Sequence, residues 1–256
     1  MGRPYGRMEE MGPDDLVRVL DEAPVAYVPL GTFEHHGYHL PVCFDGIKAH
    51  ALCLRAARRT GGVVLPCFFY GTGGGHVGFR WTIIQPEAHL RPILADTLSH
   101  LAKCGFRVVV MLSGHYPGEQ VQMVKHLAAG AQQANPSTRF FGLTEPEITT
   151  PLPGDTFGGD HAAKYETSIA LALNRRWVRM DRLTDGRDAA RHALPESPRG
   201  DHGPFEPARA LYAIWGQDPR VHASVETGRR LVAEIVGRLT ALVESALSTP
   251  APATPA

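Results

Sequence analysis

The most chemically suggestive part of the sequence follows an apolar run and crowds acidic residues and histidines together between Glu34 and Asp45. Glu34 and His36 are two residues apart, so on an extended backbone their side chains leave the same face, whereas His35 points to the other face. A glycine and a proline farther on can turn the chain and bring Asp45 back toward the pair. Carboxylates and neutral imidazoles together are ligands that suit zinc, manganese or iron(II). This stretch therefore predicts a metal site.

The elements expected around this stretch bring further histidines to the same place. Three apolar runs are predicted to be strands: residues 25–30, which precede Glu34 and His36, residues 63–70, which precede His76, and residues 107–112, which precede His115. Each candidate side chain thus follows the carboxyl end of a strand, where open α/β sheets bind ligands. We therefore expect one shared site that collects residues distant in sequence.

Helical patterns separate these strands and define the fold class. Helices are predicted at residues 45–59, at 86–104, after Pro117, from His161 onward and at 224–247, with a fourth strand at 140–143 and a weaker candidate strand at 211–215. Strands joined by helices of this length need crossovers, so we predict an α/β fold with three α/β/α layers and a largely parallel sheet. A single domain is expected over residues 1–247, followed by a disordered Pro/Ala/Thr tail at 248–256. The long loop at 184–208 is a candidate functional segment or oligomer contact.

The composition argues against several classes of partner. The 26 basic and 26 acidic residues cancel, and no run of Lys and Arg forms a stripe, which argues against a nucleic-acid binder. No apolar stretch is long enough to span a membrane, and the amino-terminal residues are charged where a signal peptide is apolar. We therefore expect a cytoplasmic protein with a small neutral or zwitterionic partner. The 4 cysteines, at scattered spacings, are predicted to be reduced core thiols.

Two signatures of other enzyme classes are weak, and one alternative is not an enzyme. Residues 73–78 match G-x-G-x-x-G, but the helix that a dinucleotide fingerprint must open does not follow. Ser113 could suggest a serine hydrolase, but Met111 stands where a nucleophile elbow needs its first glycine. A catalytically degenerate protein that binds metal without turnover is the alternative from a different class.

Four segments of the sequence resemble, in the expected order, the motifs of the creatininase family, the creatinine amidohydrolase-like metal enzymes. They are Glu34-x-His36-Gly-x-His-Leu-Pro-x-x-x-Asp45, the glycine-rich residues 71–83 with His76, Ser113-Gly114-His115-Tyr116, which is similar to an Asn-Gly-His motif, and Asp160-His161-Ala-Ala-Lys-Tyr-Glu166-Thr167-Ser168, which is similar to His-Ala-Gly-x-x-Glu-Thr-Ser. Together these segments span residues 25–175. By this resemblance the chain is identified as a member of the family, with a creatininase-like fold.

The resemblance implies a ligand set for one or two divalent ions. In dinuclear members one ion is held by the residues that match Glu34, Asp45 and His115. A second ion is held by those that match His36 and Asp45, together with a glutamate two positions after the histidine of the third motif. In this chain that position is Pro117, whose side chain cannot ligate.

Two carboxylates are candidates to replace the ligand missing at Pro117. Glu166, which belongs to the Glu-Thr-Ser motif, is the preferred one and is expected both to bind metal and to take part in catalysis. Glu119 is the alternative, although an acidic residue in the first turn of a helix also favours the helix dipole.

The resemblance also assigns catalytic and substrate-binding roles. The histidine that matches His161 is proposed in the family to shuttle a proton at the scissile nitrogen, and a helix amino end would lower its pKa toward a neutral base. His161 and Glu166 are five residues apart, an offset of about 140° on a regular helix, so the site must wrap around the helix start or one of them lies behind the other. His76, Tyr116 and Phe157 are the candidate substrate-binding residues.

These features predict a metal-dependent amidohydrolase. Such an ion would lower the pKa of a water and polarise a carbonyl, so that a C–N bond of a small cyclic or formyl-type amide is hydrolysed without a covalent intermediate. Phe157 stands where creatinine hydrolases carry a tryptophan, and this change together with Pro117 argues against creatinine itself. A family-type peptidase acting in peptide cofactor maturation is an alternative, and the resemblance implies a homo-oligomer, commonly a hexamer.

Overall fold

The computed structural model describes residues 2–152, 159–194 and 206–249. Its centre is a five-stranded sheet in which every pairing is parallel. The strands are β1 (Tyr5–Arg7), β2 (Val25–Leu30), β3 (Gly62–Val64), β4 (Val108–Ser113) and β5 (Arg139–Thr144), and they lie side by side in the order β1-β3-β2-β4-β5. The helices are α1 (Pro13–Glu22), α2 (Phe44–Thr60), α3 (Glu87–Lys103), α4 (Gly118–Ala134), α5 (Lys164–Leu173), the short α6 (Pro219–His222) and α7 (Val225–Ser248).

The helices cover both faces of the sheet and enclose a separate apolar core on each. Along β2, Val25 and Tyr27 contribute to the core shared with α2, α5 and α7, whereas Ala26 and Val28 contribute to the core shared with α1, α3 and α4. This alternation follows from the two-residue period of a strand. The prediction of a three-layer α/β/α fold with a parallel sheet is confirmed.

The two central strands end level with each other, which sets the position of the site. β2 pairs with β4 along its full length, and Leu30 at the end of β2 lies opposite Ser113 at the end of β4. The loops that carry Glu34 and His115 therefore leave the sheet from the same edge. That edge is the carboxyl end of the sheet, as the sequence predicts.

Several elements differ from their predicted bounds. The strand predicted at 63–70 is regular only as β3, because Pro66 cannot donate to the ladder, although Phe68 still donates to Pro29 O of β2 at 3.0 Å. The helix predicted from His161 begins at Lys164, so His161 precedes it. The candidate strand at 211–215 is wrong, since these residues form turns and only Trp215 makes a bridge, to His161.

Other differences lie at the amino end and among the cysteines. Neither β1 nor α1 is among the elements predicted from sequence. β1 gives little signal, because it has only 3 residues and lies at the sheet edge. All four cysteines are free thiols, but only Cys53 of the four is buried in the core. Cys43 and Cys67 are partly buried, and Cys104 is exposed at the end of α3. Among the described residues, no helix combines the length and apolar character that a membrane crossing requires.

Two predicted segments fall partly outside the described residues. Most of the predicted tail, residues 250–256, and the middle of the predicted loop, residues 195–205, lie outside them. Ser248, predicted to open the tail, is instead the last residue of α7. The single-domain assignment stays a prediction.

Candidate metal centre

The site lies where the first turn of α2 packs against the ends of β2 and β4. A Cβ atom on Gly114 would lie 2.1 Å from the carbonyl oxygen of Asp45, and one on Gly31 would lie 2.2 Å from the backbone nitrogen of Gly46. Only glycine permits these approaches, because any side chain would overlap the backbone of α2. Asp45 is therefore held at the carboxyl edge of the sheet by contacts between backbones.

The first group of possible ligand atoms comes from Glu34, Asp45 and His115, all of them buried. His115 Nδ1 lies 3.1 Å from Glu34 Oε2 and 3.1 Å from Asp45 Oδ2. Ligand atoms bound at about 2.0–2.2 Å to one ion are themselves about 3 Å apart, so this spacing fits a shared cation. His115 Nε2 lies 3.3 Å from the carbonyl oxygen of Gly73, which can only accept, so Nε2 carries a proton and Nδ1 is available as a ligand.

The second group shares Asp45 and adds His36 and Glu166. His36 Nε2 lies 2.9 Å from Asp45 Oδ1 and 3.5 Å from Glu166 Oε2. His36 Nδ1 lies 3.0 Å from the carbonyl oxygen of Glu34, so Nε2 is the atom left for a ligand. Within the described part of the chain, buried His36 Nε2 and Asp45 Oδ2 have no aligned hydrogen-bond partner despite these short distances. A bound cation would satisfy both of these buried atoms.

The charges in the site hold one another ionised. Burial by itself lowers the pKa of His36, but Asp45 and Glu166 outweigh it and raise the pKa to about 9. Burial likewise opposes the charged form of His115, but Glu34 and Asp45 raise its pKa to about 10. The same attractions overcome burial and hold the pKa of the Asp45 carboxyl well below its usual range. A dense negative site of this kind attracts cations, with protons and metal ions in competition.

His161 lies at the mouth of the site, where it forms a third, less buried group of possible ligand atoms with Glu34 and His36. Its Nε2 lies 2.8 Å from the carbonyl oxygen of His35, and its Nδ1 lies 3.9 Å from Glu34 Oε2. The ring stacks on His76 with centroids 4.2 Å apart. Burial, followed by the nearby charges of His76 and His36, lowers the pKa of His161 to about 3. His161 is therefore a neutral imidazole whose unprotonated nitrogen faces the carboxylates.

The start of α5 is capped by Asp160, which leaves His161 free for this position. The Asp160 carboxylate accepts hydrogen bonds from the backbone nitrogens of Tyr165, at 2.6 Å, and Glu166, at 3.1 Å. Because α5 begins after His161, the 140° offset expected on a regular helix does not apply. The site wraps around the start of the helix, which is one of the two arrangements that the sequence left open.

Of the two carboxylates considered near Pro117, the structure brings only Glu166 to the site. Glu166 is buried and belongs to the second ligand group, whereas Glu119 is exposed in the first turn of α4 and packs against Gly73. Glu166 also has a partner that sequence reasoning missed: Lys48 Nζ lies 2.6 Å from its Oε1. A signal existed, since Lys48 is three residues after Asp45 on α2 and so lies on the same helix face.

A cavity of about 150 Å³ opens over the two ligand groups. Its lining includes the predicted substrate-binding residues His76 and Tyr116, while Phe157 lies outside the described residues. His76 also contacts a predicted ligand, because its Nδ1 lies 2.7 Å from Glu34 Oε1. The Tyr116 hydroxyl is committed elsewhere, because its single proton is shared between Asp160 O at 2.7 Å and Glu166 Oε1 at 3.0 Å. The ring of Tyr116 rather than its hydroxyl is thus available to a ligand.

Ser113 is part of the framework. Its hydroxyl is buried, donates to the carbonyl oxygen of His115 at 2.5 Å and lies 3.2 Å from Gln120 Nε2, which donates to it. No catalytic histidine is poised to accept its proton among these partners. The serine-hydrolase interpretation therefore has no support in the described site.

The chain matches known proteins along most of its length. The family model Creatininase, described as creatinine amidohydrolase, matches residues 9–243. Creatinine amidohydrolase of Pseudomonas putida is 28% identical over 235 residues, which are 83% of this chain and 84% of that protein. Mycofactocin precursor peptide peptidase of Mycobacterium ulcerans is 29% identical over 237 residues, which are 89% of this chain and 87% of that protein.

Solved structures show the same fold. A crystal structure of creatinine amidohydrolase superposes with a TM-score of 0.77 at 22% identity, covering 95% of this chain and 98% of that one. Similar structures include creatininase forms described as Mn and as Zn-Zn type. The arrangement of strands and helices around the site is thus shared with proteins whose structures are described with divalent metals.

Proposed function

The chain belongs to the creatininase family, and on that premise we propose that it is a metal-dependent amidohydrolase that cleaves a C–N bond of a small cyclic or formyl-type amide. The observation that carries the proposal is the buried group of Glu34, Asp45 and His115, whose atoms are spaced as ligands of one cation, with His36 and Glu166 on the other side of Asp45. These buried carboxylates require positive charge nearby, which a divalent ion would supply in place of the protons on His36 and His115.

Glu34, Asp45 and His115 are the residues that would hold the principal ion, with His36 and Glu166 beside them. Their oxygen and nitrogen atoms suit zinc, manganese or iron(II). When bound, such an ion supplies Lewis-acid polarisation of the amide carbonyl and an acidified water. The hydrogen bonds from His36 to Glu34 O and from His115 to Gly73 O fix which imidazole nitrogen points into the site.

His161 would move the proton that the reaction requires. Hydrolysis adds water across the C–N bond, so one proton of the water must reach the departing nitrogen. His161 Nδ1 is unprotonated and faces the carboxylates, while Nε2 is anchored on His35 O, so the ring can accept a proton without turning. Because burial lowers the pKa of His161 to about 3, the imidazolium gives up that proton readily to an amine.

The size of the cavity supports a small substrate. About 150 Å³ is comparable to a cavity that holds a single aromatic ring. The glycine-rich loop closes one side, since a Cβ on Gly74 would lie 3.1 Å from Glu34 Oε1. Peptide hydrolysis is the second candidate, and the similarity to the mycofactocin precursor peptide peptidase favours it. A cytoplasmic location and a hexameric assembly stay predictions.

The test combines metal analysis with a panel of lactams, formamides and short peptides. We expect purified protein to retain divalent metal and to hydrolyse a small amide faster than any peptide. Asp45→Ala should lose both metal and activity, because Asp45 belongs to two of the three possible ligand groups, including the principal one with Glu34 and His115. His161→Ala should keep its metal and lose about 10²–10⁴-fold in rate, the usual effect of removing general acid–base catalysis.

Glu119→Ala is the matched control, since Glu119 is an exposed carboxylate outside the ligand groups. It should keep both metal and rate. Stoichiometric metal with no turnover on any amide would instead identify a non-catalytic metal-binding protein. Normal turnover by His161→Ala would refute the proton-transfer role.

A further inference from the structure

A buried lysine lies directly beside the second ligand group. Lys48 Nζ contacts Glu166 Oε1 at 2.6 Å and Glu145 Oε2 at 3.7 Å, and its side chain has no exposure to solvent. The ammonium lies over the rings of Phe44 and Tyr116, at 5.3 Å and 4.9 Å from their centroids. A full positive charge is thus built into the wall of the site.

We propose that Lys48 takes the place of a second divalent ion, so that each chain binds a single metal ion at Glu34, Asp45 and His115. The inference rests on the proposed function in one respect, namely that this site binds metal. It concerns the number of ions and the role of Lys48, and neither depends on which amide is cleaved.

The first argument is that Glu166 already has its donors. Oε1 accepts from Lys48 Nζ and, at 3.0 Å, from the Tyr116 hydroxyl, and Oε2 accepts from the backbone nitrogen of Ala162 at 2.7 Å. A second ion in this group would have to share a carboxylate whose charge the ammonium already offsets, and whose oxygens also accept from a backbone amide and from a hydroxyl proton shared with Asp160 O. Its ligation by Glu166 is correspondingly weak.

The second argument is that the two ligand groups differ in their charge environment. Among the described residues, the ion pairs of Lys48 run only to Glu166 and Glu145, so Glu34 of the first group keeps its negative charge uncompensated by lysine. A divalent ion at His36 and Glu166 would be repelled by the neighbouring ammonium, strongly so because the site is buried. Pro117 lines the same cavity and offers no ligand atom in compensation.

Lys48 is therefore a positioning residue rather than a catalytic one. It holds Glu166 in the orientation that places Oε2 3.5 Å from His36 Nε2, and it supplies one fixed positive charge at that end of the site. His36 and Glu166 then complete the surroundings of the single ion without binding a second one.

The test counts metal ions in the full-length protein. Wild type, Lys48→Met and the control Lys125→Met are stripped with a chelator, dialysed to equilibrium against saturating Mn²⁺ and analysed for manganese per chain. Lys125 is the matched control because it is a half-exposed lysine paired with Glu147, away from the site. We expect one ion per chain in wild type and in the control, and two in Lys48→Met, with spin coupling between two Mn²⁺ ions visible by electron paramagnetic resonance only in Lys48→Met.

Two ions per wild-type chain would overturn the inference, as would a folded Lys48→Met variant that still binds one. If Lys48→Met does not fold, the double variant Lys48→Met/Glu145→Gln removes buried charge of both signs, and it too should bind two ions. One ion in that folded double variant would equally refute the inference. Amide hydrolysis is scored separately: one ion without hydrolysis defeats only the proposed function, and two ions with hydrolysis defeat only the role of Lys48.

Discussion

Asp45 shows at the scale of a single residue how the site is held together. Its Oδ1 lies 2.9 Å from His36 Nε2, and its Oδ2 lies 3.1 Å from His115 Nδ1, so one carboxylate spans both ligand groups. Without a metal, the two imidazoles supply the positive charge that this carboxylate requires. The protonation of His36 and His115 is therefore tied to the stability of the metal-free fold.

The stability of metal-stripped protein should fall as the pH rises. The pKa values of His36 and His115 are raised from the ordinary 6.5 to about 9 and about 10. Groups with raised pKa values stabilise the fold fully below pH 6.5, and this contribution is lost as the pH passes the folded values. We expect the Tm of chelator-treated protein to drop between pH 6.5 and about 10, measured by calorimetry. The variant His115→Asn should drop less, and an equal drop in both proteins would contradict this account.

Helix α2 is the element whose placement decides the geometry of the site. Asp45 lies in its first turn and Lys48 lies one turn later. The start of the helix packs against the strand ends at Gly31 and Gly114. Because the contacts are between backbones, a shift of the helix would move the carboxylate and the ammonium together. Close packing of this element therefore controls both metal ligation and the charge beside it.

A methyl group at position 114 should damage both stability and metal binding. Gly114→Ala would place a Cβ 2.1 Å from Asp45 O, and the overlap can be relieved only by moving α2. We expect a loss of about 1–3 kcal/mol in the free energy of unfolding, typical of overpacking, together with weaker Mn²⁺ binding by titration calorimetry. Gly130→Ala is the matched control, because nothing lies within 4 Å of its added Cβ in α4. It should gain about 0.5–1 kcal/mol from helix propensity. Equal effects at the two positions would refute the role of close packing.

At the scale of the whole molecule, the site joins parts of the chain that are far apart. His115 and Glu34 follow neighbouring strands, and Glu166 reaches them from α5, which packs with α2, α7 and the sheet in one apolar core. Unfolding any of these layers would scatter the ligands. Metal bound at the proposed site would therefore be coupled to the global stability of the fold.

Saturating metal should raise the free energy of unfolding of the whole chain. At a free metal concentration 100 times the Kd, one site adds about 2.7 kcal/mol. We expect denaturant unfolding with and without Mn²⁺ to show this difference in wild type and to show none in Asp45→Ala. A similar stabilisation of Asp45→Ala would mean that the metal binds elsewhere on the protein.

Residue order alone determined much of the fold and of the site. The continuous apolar runs of β2 and β4, with helical patterns between the strands, predict a parallel sheet covered by helices on both faces, because strands joined by helices need crossovers. The position of Glu34, His76 and His115 after strands determines that they meet at one edge. These features are local, so they can be derived without knowing any long-range contact.

The tertiary structure decided the features that depend on contacts distant in sequence. Lys48 and Glu166 are 118 positions apart, and no local pattern couples them, yet their ion pair sets the charge beside the second ligand group. The start of α5 after His161 depends on the cap from Asp160 and on the bridge to Trp215. The sequence could place the candidate ligands near one another, but packing decided that Glu166 pairs with Lys48 whereas Glu34 does not, because the partners come from different helices and loops.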